Sequence, residues 1–498
     1  MTTFNVPRRE SAAPYVMAID VGSGGTRVGV YDASGREVGG RRTRLTHTLS
    51  SGSDGSSTID ADAIVEEVRR GIEHLAPRIP GPIAAVGIDT FASSLVPVDA
   101  AGNALGPCIT YADTRSGAHA VHLARELDGD RLHDLTGARL HSSYLAPRLA
   151  WLREAEPELF SATSRFMALG EYISHRLLGT PALGTAAAAW GGMLDRRRGE
   201  YVEELLAAVD VSAESLGRPR DPADTVPLAG SPLASRVRGL EEAVWVPAVG
   251  DGLTANLGIG ALGPATWGIS TATSGAIRVL LDTPVEELPS GLWAYRVDAE
   301  RTLLGSAMSD AGRVLTFVID TFRLPSALPE INESDLLTRE PQEATPLVVP
   351  FLSGERGTKW RDDIRAAFAD VSASTTPEDF LRGAMEGVAL SYARIAEQMR
   401  AAGGVPERIV LSGGMTSAAP TWLPILSDAL GLPVDHVGIS RSTMRGSALL
   451  ALEQLGVRDF AEVPVLTRVE PREHTGDYYR ERLARFESLA DEVGTPRA

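Results

Sequence analysis

The sequence predicts an α/β protein of two large domains related by duplication. The first observation is length: 498 residues exceed the roughly 250 to 300 at which a single hydrophobic core stops growing. The second is a glycine-rich hairpin pattern that occurs twice, half a chain apart. The third is the alternation of helical and strand patterns after each copy, the mark of an α/β domain. Composition agrees with a globular chain, at 43% hydrophobic and 23% charged residues.

Each element follows in chain order. Residues 1–13 (MTTFNVPRRESAA) read as a disordered tail without the apolar middle of a secretory signal. Val16 to Asp20 (VMAID) is an apolar strand ending in an acid, followed by Gly22, Ser23, Gly24 and Gly25, and then by the strand Arg27 to Asp32. This strand–turn–strand hairpin suits a backbone that turns its N–H groups toward an anion, and it leads into a strand rather than a helix, unlike a P-loop. A turn at Ala33 to Gly35 starts a third strand. Segment 50–57 (SSGSDGSS) reads as a flexible surface loop. Ala61 to Leu75 has helical spacing, and Ile83 to Asp89 (IAAVGID) is a buried strand.

In the second half, Trp267 to Asp282 (WGISTATSGAIRVLLD) overlays Met17 to Asp32 (MAIDVGSGGTRVGVYD) without a gap, matching Ile19 with Ile269, Gly25 with Gly275 and Asp32 with Asp282. Phe380 to Ala402 is an apolar-faced helix leading into the strand Arg408 to Leu411 and the turn Ser412, Gly413, Gly414.

Several classes are excluded. A net charge of −17 opposes nucleic acid or anionic membrane partners, which require a basic footprint. No run approaches the ~20 apolar residues of a membrane helix. Cys108 is the lone cysteine, so the expected compartment is the cytoplasm. Lys359 is the only lysine, which removes the P-loop lysine and the β3 lysine of protein kinases.

These segments together resemble the FGGY carbohydrate kinases, and among them the gluconokinases. Besides the two hairpins, the resemblance rests on PCITYADTRS (107–116), PRLAWLREAEP (147–157), VPAVGDGLTANLGIGA (246–261), PFLSGERGTKWRDDIRAAF (350–368), LRGAMEGVAL (381–390), LSGGMTS (411–417) and RGSALLAL (445–452). It implies two actin-like (ribonuclease H-like) ATPase domains with a catalytic cleft between them. The divisions are a sugar-binding domain over 14–258, a nucleotide-binding domain over 259–465, and a C-terminal helical tail over 466–498.

The resemblance also implies MgATP as cosubstrate. Asp251 becomes the catalytic base; read alone, Asp251-Gly252 is a turn or a helix N-cap. Asp20 is expected beside the γ-phosphate and its magnesium, with Gly22, Ser23, Gly24, Gly25 and Arg27 at the phosphates. Thr273, Ser274 and Gly275 form the opposing turn, and Gly312, Gly413 and Gly414 border the adenosine. Ala92, Ser93, Asp113, Arg115 and Tyr144 are the sugar-side candidates, with Asp113 and Arg115 equally readable as a salt-linked pair. Arg148 and Trp151 read as packing. The implied reaction is phosphorylation of D-gluconate to 6-phosphogluconate, with xylulose or another ketose or polyol as alternatives. A non-catalytic ATP-binding sensor is the rival from another class, and a homodimer is left open.

Three departures stand out. Phe91-Ala92-Ser93-Ser94 replaces the family's usual Met-His pair, and Ser143 and Tyr144 also differ from common family residues. Ala272 replaces a usual glycine and Gly24 a Ser or Thr, so the second turn is expected to be slightly reshaped. Gly258, Gly260 and Gly263 match G-x-G-x-x-G only by spacing and read as helix packing. His119 and His122 read as a surface helix.

Overall fold

The computed structural model describes residues 4–324, 340–361, 363–415, 419 and 421–494. Asp362, Thr416 and Ser417, within two of the segments above, lie outside the described residues.

The first sheet is a meander extended by parallel strands. Glu37–Leu45, Gly25–Tyr31 and Tyr15–Gly22 pair antiparallel, and Tyr15–Gly22 then pairs in parallel with Ile83–Thr90. Ile83–Thr90 is flanked on its far side, also in parallel, by Val244–Trp245 and Val249–Gly250. The second sheet repeats this plan: Thr302–Met308, Gly275–Leu281 and Thr266–Thr271 pair antiparallel, followed by parallel Arg408–Ser412 and Val434–Val437. A two-domain α/β architecture with internal duplication is therefore present.

The gap-free overlay of the hairpins is out by one residue. Ala18 lies opposite Gly29 in the first, whereas Gly268 lies opposite Arg278 in the second. The first turn joins Gly22 to Gly25 and the second joins Thr271 to Gly275, so the second loop is one residue longer.

Local signals place the helices as expected. Ala61–Leu75 is capped by Asp60, whose side chain accepts from the Ala63 N–H, and it buries Ile64, Val68 and Ile72. Pro377–Gly403 begins with Pro and a Thr376/Asp379 capping box. His119 and His122 lie on the short helix Gly117–Glu126, away from any metal cluster among the described residues.

One expectation fails at the start of the chain. Asn5–Val6, read as part of a disordered tail, pairs in parallel with Glu37 and Val38, and Val6 is buried; its apolar side chain fills the edge of the first core. The segment after 465, expected as a helical tail, carries the helix Gly476–Val493 and packs into the second domain. Val465–Val469 extends the second sheet, and Gly476–Val493 buries Tyr479 and Phe486 in the second core. Segment 50–57 contains half of a small hairpin, with Ser50 opposite Thr58.

Two helices join the halves. Ser442–Gln454 lies on the first sheet, where Met444, Ala448 and Leu452 pack with Val16, Ala18 and Ala85. It crosses Asp251–Gly258 at backbone contact: a Cβ on Gly446 would lie 2.0 Å from the Thr254 carbonyl oxygen, and one on Gly258 1.8 Å from that of Ser442. The G-x-G-x-x-G match is thus explained by close helix packing at its first glycine. No helix among the described residues is long and apolar enough to cross a membrane.

Candidate active site

Three carboxylates gather at the ends of three adjacent parallel strands. Asp20 is the register partner of Asp89, Asp89 that of Val249, and Asp251 follows two residues later as the first residue of its helix. The hydrophobic strands force this convergence, because their registers are set by buried apolar partners such as Ile19 and Ile88.

Asp251 is partly exposed, yet desolvation dominates its electrostatics. Burial first, then the charge of Asp20, push its carboxyl up to about 6, against the pull of Arg278 and the Gly252 N–H. A carboxylate with this affinity can accept a proton near neutral pH. Asp20 is buried, and its Oδ2 accepts from Arg27 Nη1 at 2.8 Å and Thr443 Oγ1 at 2.9 Å. Its Oδ1 faces Gly22. Asp89 is fully buried; Ser447 Oγ donates to its Oδ2, and its Oδ1 has no hydrogen-bond partner. Burial and the charge of Asp20 hold the Asp89 carboxyl well above the usual carboxylate range.

The two turns carry exposed tips on buried flanks. Ser23 and Gly24 are exposed between Val21 and Gly25, and Ala272, Thr273 and Ser274 between Thr271 and Gly275. Gly312 and Gly413 close on the second turn: a Cβ on Gly312 would lie 2.5 Å from the Ala272 carbonyl oxygen, and one on Gly413 1.9 Å from that of Thr271. Thr273, Ser274, Gly275, Gly312, Gly413 and Gly414 are therefore brought together. The second turn, expected to be slightly reshaped at Ala272, is one residue longer than the first, and Ala272 is not among the residues of positive φ.

In the first turn, Gly25 has φ +150° and a Cβ on it would lie 2.5 Å from the Leu45 carbonyl oxygen, whereas Gly24 has open space around it. Gly25→Ala should lower the unfolding temperature measurably and Gly24→Ser should leave it unchanged; equal melting curves for the two would contradict this geometry. Lys359 is far from a phosphate role, since it pairs with Asp491 on the C-terminal helix.

The expected sugar side is more heavily internally bonded than the sequence suggested. Ser93, at φ +52°, donates from its hydroxyl to the Trp190 carbonyl at 2.7 Å. Arg148, fully buried, donates to the carbonyls of Ser93, Ser142 and Ser143 and is held below its ordinary range by burial, at about 10. That settles Arg148 as framework. Asp113 accepts from Arg115 at 2.7 Å and from the Ser57 N–H at 2.9 Å, and Arg115 stacks 4.1 Å over Trp151; the salt-linked pair is what the structure holds. Tyr144 bonds through its hydroxyl to Tyr295 at 2.7 Å across the two halves. Ala92 lines a small pocket with Ser93, Ser94 and Gly250.

Sequence reasoning missed several cleft residues. Trp190 covers Gly250 and Gly252 and stacks on Tyr295 at 4.3 Å; a lone aromatic in an alanine run was the signal. Arg278 lies in the second hairpin with Ser270 Oγ at 3.2 Å, its Nε buried and unpartnered. Asp89 was readable, because IAAVGID ends in an acid just as VMAID does. Thr443 and Ser447 could be found only once their helix was docked.

Comparison with known proteins accords with this geometry. Residues 15–258 match the N-terminal domain, and residues 268–454 the C-terminal domain, of the FGGY family of carbohydrate kinases. Gluconokinase of Bacillus subtilis (strain 168) is 25% identical over 461 residues, covering 89% of this chain and 88% of the relative. Among solved structures, gluconate kinase from Lactobacillus acidophilus superposes with TM-score 0.89 at 21% identity, covering 97% of this chain and 98% of that one. Ligand-bound xylulose kinase from Lactobacillus acidophilus gives the same TM-score of 0.89, identity of 21% and coverages of 97% and 98%. With both of its domains matched, this chain is a member of the FGGY family of carbohydrate kinases.

Proposed function

We propose that this protein transfers the γ-phosphoryl group of MgATP to a hydroxyl of an open-chain sugar acid, with D-gluconate as the acceptor and 6-phosphogluconate as the product. The observation that carries the reading is Asp251, a cleft carboxylate raised to about 6 beside the Asp20 turn. In that role it takes the proton of the attacking hydroxyl, while N–H groups of the two turns hold phosphate oxygens. Thr273, Ser274, Gly275, Gly312, Gly413 and Gly414 would hold the nucleotide from the second half, and Gly22 to Gly25 with Arg27 from the first.

Magnesium fits as a group carried by the nucleotide. The row of Asp20, Asp89 and Asp251 is not a metal cage, and no group of three acidic, His or Cys side chains among the described residues could hold a metal ion by itself; nucleotide-borne Mg²⁺ needs only one or two carboxylates beside its waters and phosphates. Asp20, with Oδ1 toward the first turn, would hold it. The ion would supply charge neutralisation at the phosphates.

A charged acceptor is favoured by cations in the cleft. The Nε atoms of Arg278 and of Arg356, which reaches Ser143 Oγ at 3.2 Å, are both buried without partners, and a carboxylate satisfies such groups. The superposed xylulose kinase supports a second reading, a ketose or polyol acceptor. ADP release from MgATP should be measured with gluconate, other sugar acids, xylulose, ribulose and glycerol. Strong stimulation by gluconate supports the reading, stimulation only by xylulose replaces it with the second, and nucleotide binding without stimulation by any favours a sensor.

The raised carboxyl sets the pH response. Asp251 must be ionised to act, so acceptor kcat/KM should fall as pH drops through about 6 and level off above it. A flat profile across that region would remove Asp251 as the base.

A further inference from the structure

The glycine-rich turn of the first hairpin is held from behind by a polar chain outside the carboxylate row. His47 lies just past the strand Glu37–Leu45, with a side chain only 9% exposed. Its Nε2 lies 2.8 Å from the Gly22 carbonyl oxygen and its Nδ1 2.8 Å from Glu67 Oε2. The same Glu67 oxygen takes the hydroxyl of Thr26 at 2.7 Å. Glu67 belongs to the helix Ala61–Leu75, whose neighbouring Ile64 and Val68 are buried in the first core. Both flanks of the turn, Gly22 and Thr26, thus converge on one carboxylate of a rigid helix.

Proton placement follows from the partners. A backbone carbonyl only accepts, so Nε2 carries a hydrogen and donates to Gly22. Nδ1 then either donates to ionised Glu67 or accepts from protonated Glu67. In both arrangements one proton lies between the two side chains, and the bridge ties Glu67 to His47. The Gly22 carbonyl is turned toward His47, while Ser23 and Gly24 at the tip of the turn stay exposed.

We infer that His47 and Glu67 are positioning residues for the phosphate turn, fixing its Gly22 and Thr26 flanks so that its N–H groups stay presented to nucleotide phosphates. The inference rests on the proposed nucleotide role of that turn. Neither residue touches the reacting atoms. A turn already held in its binding conformation loses less freedom on binding, so the device acts on nucleotide affinity rather than on the chemical step.

The test is titration of MgATP into the full chain, with KM for MgATP and kcat measured alongside. Glu67→Ala and His47→Ala should each weaken MgATP binding about tenfold, with kcat at saturation and acceptor KM changing less than about twofold. Glu67→Gln should fall between wild type and Glu67→Ala, because Nδ1 and Thr26 meet the same Glu67 oxygen and an amide, which has N and O at separate positions, keeps only one of the two bonds. If Glu67→Ala fails to fold, His47→Ala, which truncates a side chain in a connecting segment, carries the same expectation. MgATP affinity unchanged in the alanine variants, or Glu67→Gln as weak as Glu67→Ala, would overturn the inference. A wild-type chain that binds no MgATP would instead overturn the nucleotide reading beneath it.

Discussion

Asp251→Asn should lower acceptor-stimulated ADP release by about 10²- to 10⁴-fold, the usual contribution of a positioned general base. Asn keeps the shape of the side chain at the first position of Asp251–Gly258 but cannot take a proton at neutral pH. MgATP affinity should stay within about twofold, since the turns that would hold the phosphates are separate elements. The substitution also removes a carboxyl that burial and Asp20 make reluctant to ionise, so folding should not suffer. Turnover near wild type in Asp251→Asn would show that another group accepts the proton. Asp89 would then be the next residue to replace, being the remaining carboxylate of the row with an unpartnered oxygen.

Gly446→Ala should be strongly destabilising. Its Cβ would meet Thr254 backbone atoms, the carbonyl oxygen at 2.0 Å and the carbonyl carbon at 2.5 Å. A flexible side chain could swing aside, whereas a helix backbone cannot. Relief requires Ser442–Gln454 and Asp251–Gly258 to separate, at a cost of roughly 3 kcal/mol. At about 2 to 4 °C per kcal/mol for units of this size, the apparent unfolding midpoint should drop by roughly 6 to 12 °C. Gly117→Ala, a helical glycine with open space around it, is the control and should shift the midpoint little. A Gly446→Ala midpoint equal to that of the control would show that the two helices are not in backbone contact. The same separation would move Asp251 relative to Thr443, which donates to Asp20, so lost activity should accompany lost stability.

Features readable from the sequence were those encoded locally. The strand-turn-strand pattern of VMAIDVGSGGTRVGVYD and the 3.6-residue spacing of Ala61–Leu75 and of Phe380 to Ala402 each depend on residues a few positions apart. The duplication was legible for the same reason, since each hairpin repeats a local profile. Its one-residue offset was not, because an ungapped overlay says nothing about which residues face each other across a turn. The docked segment around Val6 escaped notice because two apolar residues among polar ones carry no period.

Chain length and the two hairpins sufficed for two α/β domains with a strand–turn–strand hairpin in each, since turn chemistry and periodicity are properties of contiguous residues. The grouping of Asp20, Asp89 and Asp251 arises only from parallel registers between strands up to some 160 residues apart in the chain. Thr443 and Ser447 reach those carboxylates only because Gly258 and Gly446 let two helix backbones touch. The sugar side shows the same division from the opposite direction. Ser93, Asp113 and Tyr144 have the right chemistry for a polyol, yet tertiary packing commits their polar atoms to Trp190, Arg115 and Tyr295. A side chain's chemistry is local, but whether its hydrogen bonds remain available depends on what folding brings beside it.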